Sequence, residues 1–201
     1  MRTSLAVSVL LCWTAILACA ECNFIVDARP GTLLVSQSAG DFEALGPGPE
    51  RLGVTELEEA AEFTTLPNLR AGAGWSTDAA HWDLTGQVGY LLNERFRSLV
   101  AGLDAAVMLR VRRNIAAGPH LGYIRILDPE WTGDADLDLD PAGALVFGIQ
   151  AVIGYDILFV FAADYISAEP MDVTTHGDWR SSDDELDISG LSLQFGVMGR
   201  F

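Results

Sequence analysis

The feature that most limits how this chain can fold is an alternation of period two that runs to its last residue. In residues 191–201, Leu191, Leu193, Phe195, Val197 and Phe201 fall on one side of an extended chain. Ser192, Gln194, Gly196, Met198 and Arg200 fall on the other, and Gly199 interrupts the apolar row without adding charge. Side chains of a strand point alternately to its two faces, so this pattern predicts a strand with one greasy face. The period recurs upstream. Leu69, Ala71, Ala73 and Trp75 alternate with Asn68, Arg70, Gly72 and Gly74, and Trp82, Leu84, Val88, Tyr90 and Leu92 alternate with Asp83, Thr85, Gln87 and Gly89. Leu99, Ala101, Leu103, Ala105, Val107, Leu109 and Val111 do so with a mixed set that includes Asp104, Arg110 and Arg112, although this segment also admits a helix.

Residues 144–166 are apolar enough to suggest a membrane-spanning helix. Against a helix, Asp156 would lie near its centre at a cost of about 2.5–3.5 kcal/mol. Gly154-Tyr155-Asp156 also reads as a turn between two halves rich in β-branched and aromatic residues. The pattern therefore predicts two strands and a hairpin. The full set of expected strands is 31–37, 65–75, 80–92, 98–112, 118–127, 143–154, 157–167 and 187–201, the first being the weakest. Connections near 76–79, 113–117 and 155–156 are short, as is 93–97. Those near 38–64, 128–142 and 168–186 are long and hold most of the chain's 28 acidic residues.

The first twenty residues stand apart. A charge at Arg2, an apolar run from Leu5 to Ala18 and the small-x-small ending Ala18-Cys19-Ala20 predict a secretory signal peptide, with 21–201 as the mature domain. Ile16-Leu17-Ala18-Cys19 loosely matches a lipobox, which would instead leave Cys19 lipidated. With Cys12 and Cys19 removed, Cys22 is left alone in an N-terminal tail, and no disulfide framework can be built. A net charge of −16 argues against nucleic acid, which needs a basic patch.

An alternating strand has two explanations. In a sandwich the apolar face meets a protein core; in a membrane barrel it meets lipid and the mixed face meets the lumen. Three observations favour the barrel. Most segments reach the roughly 9–11 residues a spanning strand needs. Short turns alternate with long loops. Aromatics sit near strand ends: Trp75, Trp82, Tyr155 and Phe201 toward one rim, Tyr90 and Tyr165 toward the other.

The ending Leu193-x-Phe195-x-Val197-x-Gly199-x-Phe201 resembles the C-terminal signature of bacterial outer-membrane β-barrels. Gly118-Pro119-His120-Leu121-Gly122-Tyr123 and Gly154-Tyr155-Asp156 are similar to stretches of small barrels of the OmpA, OmpX and OmpW kind. The resemblance covers roughly residues 65–201. It implies an all-β, closed, eight-stranded antiparallel up-and-down transmembrane barrel with both termini periplasmic. It also implies that Leu193, Phe195, Val197 and Phe201 are an assembly signal read by the barrel-assembly machinery. Expected partners are outer-membrane lipid and lipopolysaccharide, and the expected state is a monomer.

On that fold Arg70, Asp83, Gln87, Asp104, Arg110, Arg112, His120, Gln150, Asp164, Gln194 and Arg200 are expected to face the lumen. Eight strands enclose only enough room for side chains to fill, so paired arginines and aspartates should close the interior. His81 is expected at a turn and His176 in a solvated loop. Neither belongs to a nucleophile–base pair, so no enzyme and no cofactor is expected. Asp134, Asp136, Asp138 and Asp140 invite a calcium reading, but the EF-hand positions for glycine and glutamate hold Leu139 and Leu145. A solvated acidic loop with at most weak divalent affinity is expected instead. Thr55-Glu56-Leu57-Glu58 is a capping-box pattern that predicts a short helix in the first long loop. The expected function is non-enzymatic: envelope structure or surface interaction through acidic loops. A narrow pore for small solutes and a secreted ligand-binding β-sandwich are the alternatives.

Overall fold

The structure, a computed structural model, describes residues 21–35, 42–46, 57–59, 63–155 and 157–201. The expected signal peptide lies outside the described residues. The described chain is all β and antiparallel. Its strands are β1 (Glu21–Arg29), β2 (Gly31–Val35), β3 (Glu43–Leu45), β4 (Leu57–Glu59), β5 (Phe63–Thr65), β6 (Asn68–Ser76), β7 (Ala80–Leu92), β8 (Phe96–Arg112), β9 (Ile115–Trp131), β10 (Leu137–Leu139), β11 (Gly143–Gly154), β12 (Ile157–Ala168), β13 (Met171–Thr175), β14 (Arg180–Ser181), β15 (Glu185–Leu186) and β16 (Gly190–Arg200).

The long strands pair in a circuit. β1 pairs with β6, and the chain of partners continues β6–β7, β7–β8, β8–β9, β9–β11, β11–β12 and β12–β16. β16 then returns to β1 through Ile25↔Arg200 to Ala28↔Val197, and to β2 through Gly190↔Val35 to Gln194↔Gly31. Phe201 and Phe24 exchange backbone hydrogen bonds of 2.9 and 2.8 Å where first and last strands meet.

Two strands are interrupted without losing register. β1 and β2 keep one alignment against β16 on either side of Pro30. β5 and β6 keep one alignment against β7 on either side of Leu66 and Pro67, and Leu66 N–H donates to Gly31 O at 2.9 Å. Each proline fixes φ and withholds one ladder donor, which ends the regular strand locally while the extended chain continues.

Residues 144–166 form β11 and β12, and 98–112 lie within β8, so neither segment is helical. The first strand begins earlier than expected. Cys22 is not in a loose tail but on β1, opposite Trp75. The run Phe24-Ile25-Val26 hides the alternation there, because Ile25 is an apolar residue on the inner face. The expected helix at Thr55-Glu56-Leu57-Glu58 falls partly outside the described residues. Its described part, Leu57–Glu59, pairs with β3 as a strand, whose open edge supplies backbone partners that a single capped turn lacks. The long connections at 128–142 and 168–186 also carry strands: β10, β13 and β15 extend the sheet beyond β9, and β14 pairs with β3.

The burial pattern inverts that of a soluble sandwich. Leu103, Ile149 and Phe195 are more than 60% exposed, and Phe161, Phe159 and Leu121 are at least half exposed. Asp104, His120, Gln150 and Asp164 are at most 4% exposed. A chain in water would bury the first set and solvate the second.

Candidate functional site

The inward residues fall in layers along the strands. At the long-loop end lies an aliphatic and aromatic plug that includes Leu33, Val100, Ile124, Val146 and Ile166 from the long strands. Trp131 joins it from the end of β9, and Phe42, Leu137, Leu139, Met171 and Leu186 from the connections. Phe42 packs edge-on against Trp131, with ring centroids 5.8 Å apart. A polar belt comes next, then a second apolar layer of Ile25, Met108, Val152, Leu158 and Met198, among others. At the short-turn end the lining turns basic.

The belt is a network tied across five strands. His120 of β9 sets Nδ1 2.8 Å from Asp104 Oδ2 on β8 and Nε2 2.5 Å from Asp164 Oδ1 on β12. Carboxylates only accept, so a ring that serves both donates from both nitrogens. Arg70 of β6 brings Nη1 to 3.0 Å from Asp104 Oδ1. Gln194 of β16 donates from Nε2 to Asp164 Oδ2 at 3.2 Å and to Ser192 Oγ at 3.3 Å. On β1, Arg29 pairs with Asp27, and both are buried. Charges taken out of water are tolerated when opposite charges and hydrogen bonds surround them. Two glycines leave space for the carboxylates: a Cβ on Gly122 would sit 2.9 Å from Asp104 Oδ2, and one on Gly148 would sit 2.5 Å from Asp164 Oδ1. Gln150 is fully buried with Nε2 3.4 Å from Met108 Sδ, and Gln87 accepts from Asn68 Nδ2 at 2.8 Å.

Asp83, Arg110 and Arg200 belong to the short-turn end. Arg200 Nη2 lies 3.7 Å from Asp83 Oδ1. His81, expected at a turn, is the buried second residue of β7, with Ser76 Oγ 2.6 Å from its Nδ1. Arg112 is exposed. A register shift between Arg110 and Arg112 lies beside it at the end of β8, where Arg112 joins Arg110 and Arg200 in lining the mouth. Asp27 and Arg29 were absent from the expected inner set because their strand was not recognised; the pattern Asp27-x-Arg29 set against Phe24, Val26 and Ala28 is the signal that would have found them.

Asp134, Asp136, Asp138 and Asp140 are all exposed, while Ala135, Leu137 and Leu139 between them are buried in the plug. The acidic stripe is thus the outer face of an extended segment. Among the described residues no cluster of three or more His, Cys, Asp or Glu is gathered to hold a metal ion. Asp138 instead accepts from His176 Nε2 at 2.8 Å. Leu193, Phe195, Val197 and Phe201 are all exposed on the outer face. Trp75 and Trp82 stand opposite each other and half-buried near the short-turn end, where Tyr155 and Phe201 are exposed. Tyr90 and Tyr165 are exposed toward the other end, and Tyr165 packs against Phe147 at 5.5 Å.

No protein-family model and no curated protein matches the chain. Among solved structures it is similar to the outer membrane protein OprG from Pseudomonas aeruginosa, with a TM-score of 0.51 and 11% identity over 90% of this chain and 97% of that one. Neisserial surface protein A (NspA) aligns with a TM-score of 0.47 and 13% identity, over 90% and 99% of the two chains. Ail, the attachment invasion locus protein of Yersinia pestis, aligns with a TM-score of 0.38 and 12% identity, over 90% and 99%. With its circuit of antiparallel strands and its OprG-like course, the chain has the fold of a small outer-membrane β-barrel protein.

Proposed function

We propose that residues 21–201 form a closed, eight-stranded transmembrane barrel of a Gram-negative outer membrane. It serves envelope structure or surface interaction and performs no catalysis. The carrying observation is the inverted burial, with Ile149, Phe161 and Phe195 outside and Asp104, His120 and Asp164 inside. Counting β1 with β2, and β5 with β6, as single strands gives eight in the circuit. In hydrocarbon every backbone group needs an internal partner, which favours a sheet that returns on itself. β6, with 9 residues, is the shortest of β6, β7, β8, β9, β11, β12 and β16. All of them therefore reach the roughly 9–11 residues needed to span.

Both ends of the described chain lie at the short-turn end, which we assign to the periplasm, and the acidic loops then face outward toward lipopolysaccharide. The outward row Leu193, Phe195, Val197 and Phe201 is open to the assembly machinery. The barrel is a monomer with a filled interior. Two apolar layers on either side of a paired belt leave no continuous wet path, so planar bilayers containing the protein should show no steady conductance.

Cell fractionation with gel electrophoresis tests this reading. The protein should sediment with outer membranes and migrate differently before and after boiling. A sample that stays monodisperse in detergent-free buffer would overturn it.

A further inference from the structure

We propose that the short-turn mouth is a blind pocket for a phosphoryl group, carried by a small soluble anion or by a lipid headgroup. A cavity of about 280 Å³ opens there, lined among others by Arg110, Arg112, Arg113, Arg200, His81 and Tyr155. Among the described residues no carboxylate lines it. The chain has twelve basic residues against 28 acidic ones, yet four arginines converge on this one cavity.

Their pairing sets them apart from the belt. Arg29 and Arg70 each have a buried carboxylate partner. Among the described residues no carboxylate lies within ion-pair distance of Arg110, Arg112 or Arg113, and Arg200 has only Asp83, at 3.7 Å. Arg110 Nε and both Nε and Nη2 of Arg200 are buried with no hydrogen-bond acceptor among the described residues. His81 cannot supply what is missing. Arg200 Nη1 and Arg110 Nη2 approach its two ring nitrogens at 3.2 and 3.4 Å, but a neutral imidazole accepts at one nitrogen only. Ser76 Oγ already lies 2.6 Å from Nδ1. Buried donors without acceptors are costly, and an anion with several oxygens would satisfy them.

The guanidinium fork matches phosphate oxygens two at a time. The cavity sits just under the roughly 300–1,000 Å³ of drug-sized pockets, which suits a phosphomonoester or pyrophosphate. Its apolar lining, Ala116, Val152 and Leu158, belongs to the buried layer that also holds Met108 and Met198, so an anion that enters is held and not passed on. The pocket does not depend on the outward loops, and it is distinct from the membrane placement proposed above.

Titration calorimetry of the whole chain, folded in a zwitterionic detergent at low salt, with inorganic pyrophosphate as the probe tests the site. One saturable site is expected. The double variant Arg112→Ala/Arg113→Ala removes exposed hairpin residues, so folding should be kept, as heat-modifiable migration will report. It should weaken binding about tenfold or more. The titration is then repeated in nanodiscs. Competition by phosphatidylglycerol discs but not by phosphatidylcholine discs assigns a headgroup as the natural occupant. Equal binding in both assigns a soluble anion. Absence of saturable binding in detergent, or unchanged affinity in the folded double variant, overturns the proposal.

Discussion

Pro30 and Pro67 stand opposite each other in neighbouring strands, at the place where both strands lose their regular form. The pairs Arg29↔Asn68 and Thr32↔Thr65 bracket them in a single register. Each accepts a bond from its other neighbour, Phe195 N to Pro30 O and Tyr90 N to Pro67 O, both at 3.1 Å. In an antiparallel pair such a bond is normally returned; here neither proline has an N–H to return it. Pro30→Ala and Pro67→Ala should each raise stability. The restored bond to a ladder carbonyl left without its partner outweighs the roughly 0.4–1 kcal/mol of chain entropy that proline removes from the unfolded state. A net gain of about 1 kcal/mol per site is expected in urea unfolding in lipid. No gain would mean that water already serves the Phe195 and Tyr90 carbonyls.

His120→Leu should be among the most damaging single changes. It leaves Asp164 with Gln194 as its remaining side-chain partner, and Asp104 with Arg70. Breaking a buried charged set by removing one member costs about 3–5 kcal/mol. Adding Asp164→Asn removes the stranded charge and should recover part of that loss, so the two changes will not sum. Urea midpoints followed by tryptophan fluorescence measure both.

Arginine substitutions on the outer face should report depth. Ile149 lies level with the belt, beside Gly148, which pairs with His120 and Asp164. Ile157 lies at the short-turn end. Ile149→Arg should cost about 2–4 kcal/mol and Ile157→Arg about 0–1 kcal/mol if lipid surrounds the middle and headgroups the end. Equal costs in lipid unfolding assays would contradict a spanning orientation.

His176 gives the loops a pH response. Its hydrogen bond to Asp138, followed by the charges of Asp138 and Asp136, raises its pKa above the ordinary 6.5. A raised folded value means the stabilisation of the β10–β13 contact is fully present below about 6.5 and fades as pH rises through the raised value. Ring resonances followed by NMR should titrate above 6.5 in the native chain and near it in Asp138→Asn.

Much of the fold is legible as alternation, because lipid on one side and packed polar groups on the other impose the same period on every long strand. What alternation cannot carry is pairing. His120 meets Asp104 and Asp164 through the registers β8–β9, β9–β11 and β11–β12, which are set by turns and bulges distant from all three residues. β1 was obscured by Ile25 and Pro30. Arg112 lies at the rim, beside a register shift that alternation does not reveal. The strands within the long connections escaped notice because Leu137–Leu139 and Met171–Thr175 are short and surrounded by charge, and pair only once the barrel strands bring them together.

The plug beneath the loops has a bearing on how such a surface could change through descent. Ala135, Leu137, Leu139, Met171 and Leu186 reach inward at close intervals and pin the connections to the wall, while the neighbouring aspartates point away. Substitutions at Asp136 and Asp140 rewrite the charge at this end without shifting the backbone that displays it. On the outward orientation proposed above, those positions can drift while the pinning residues stay fixed.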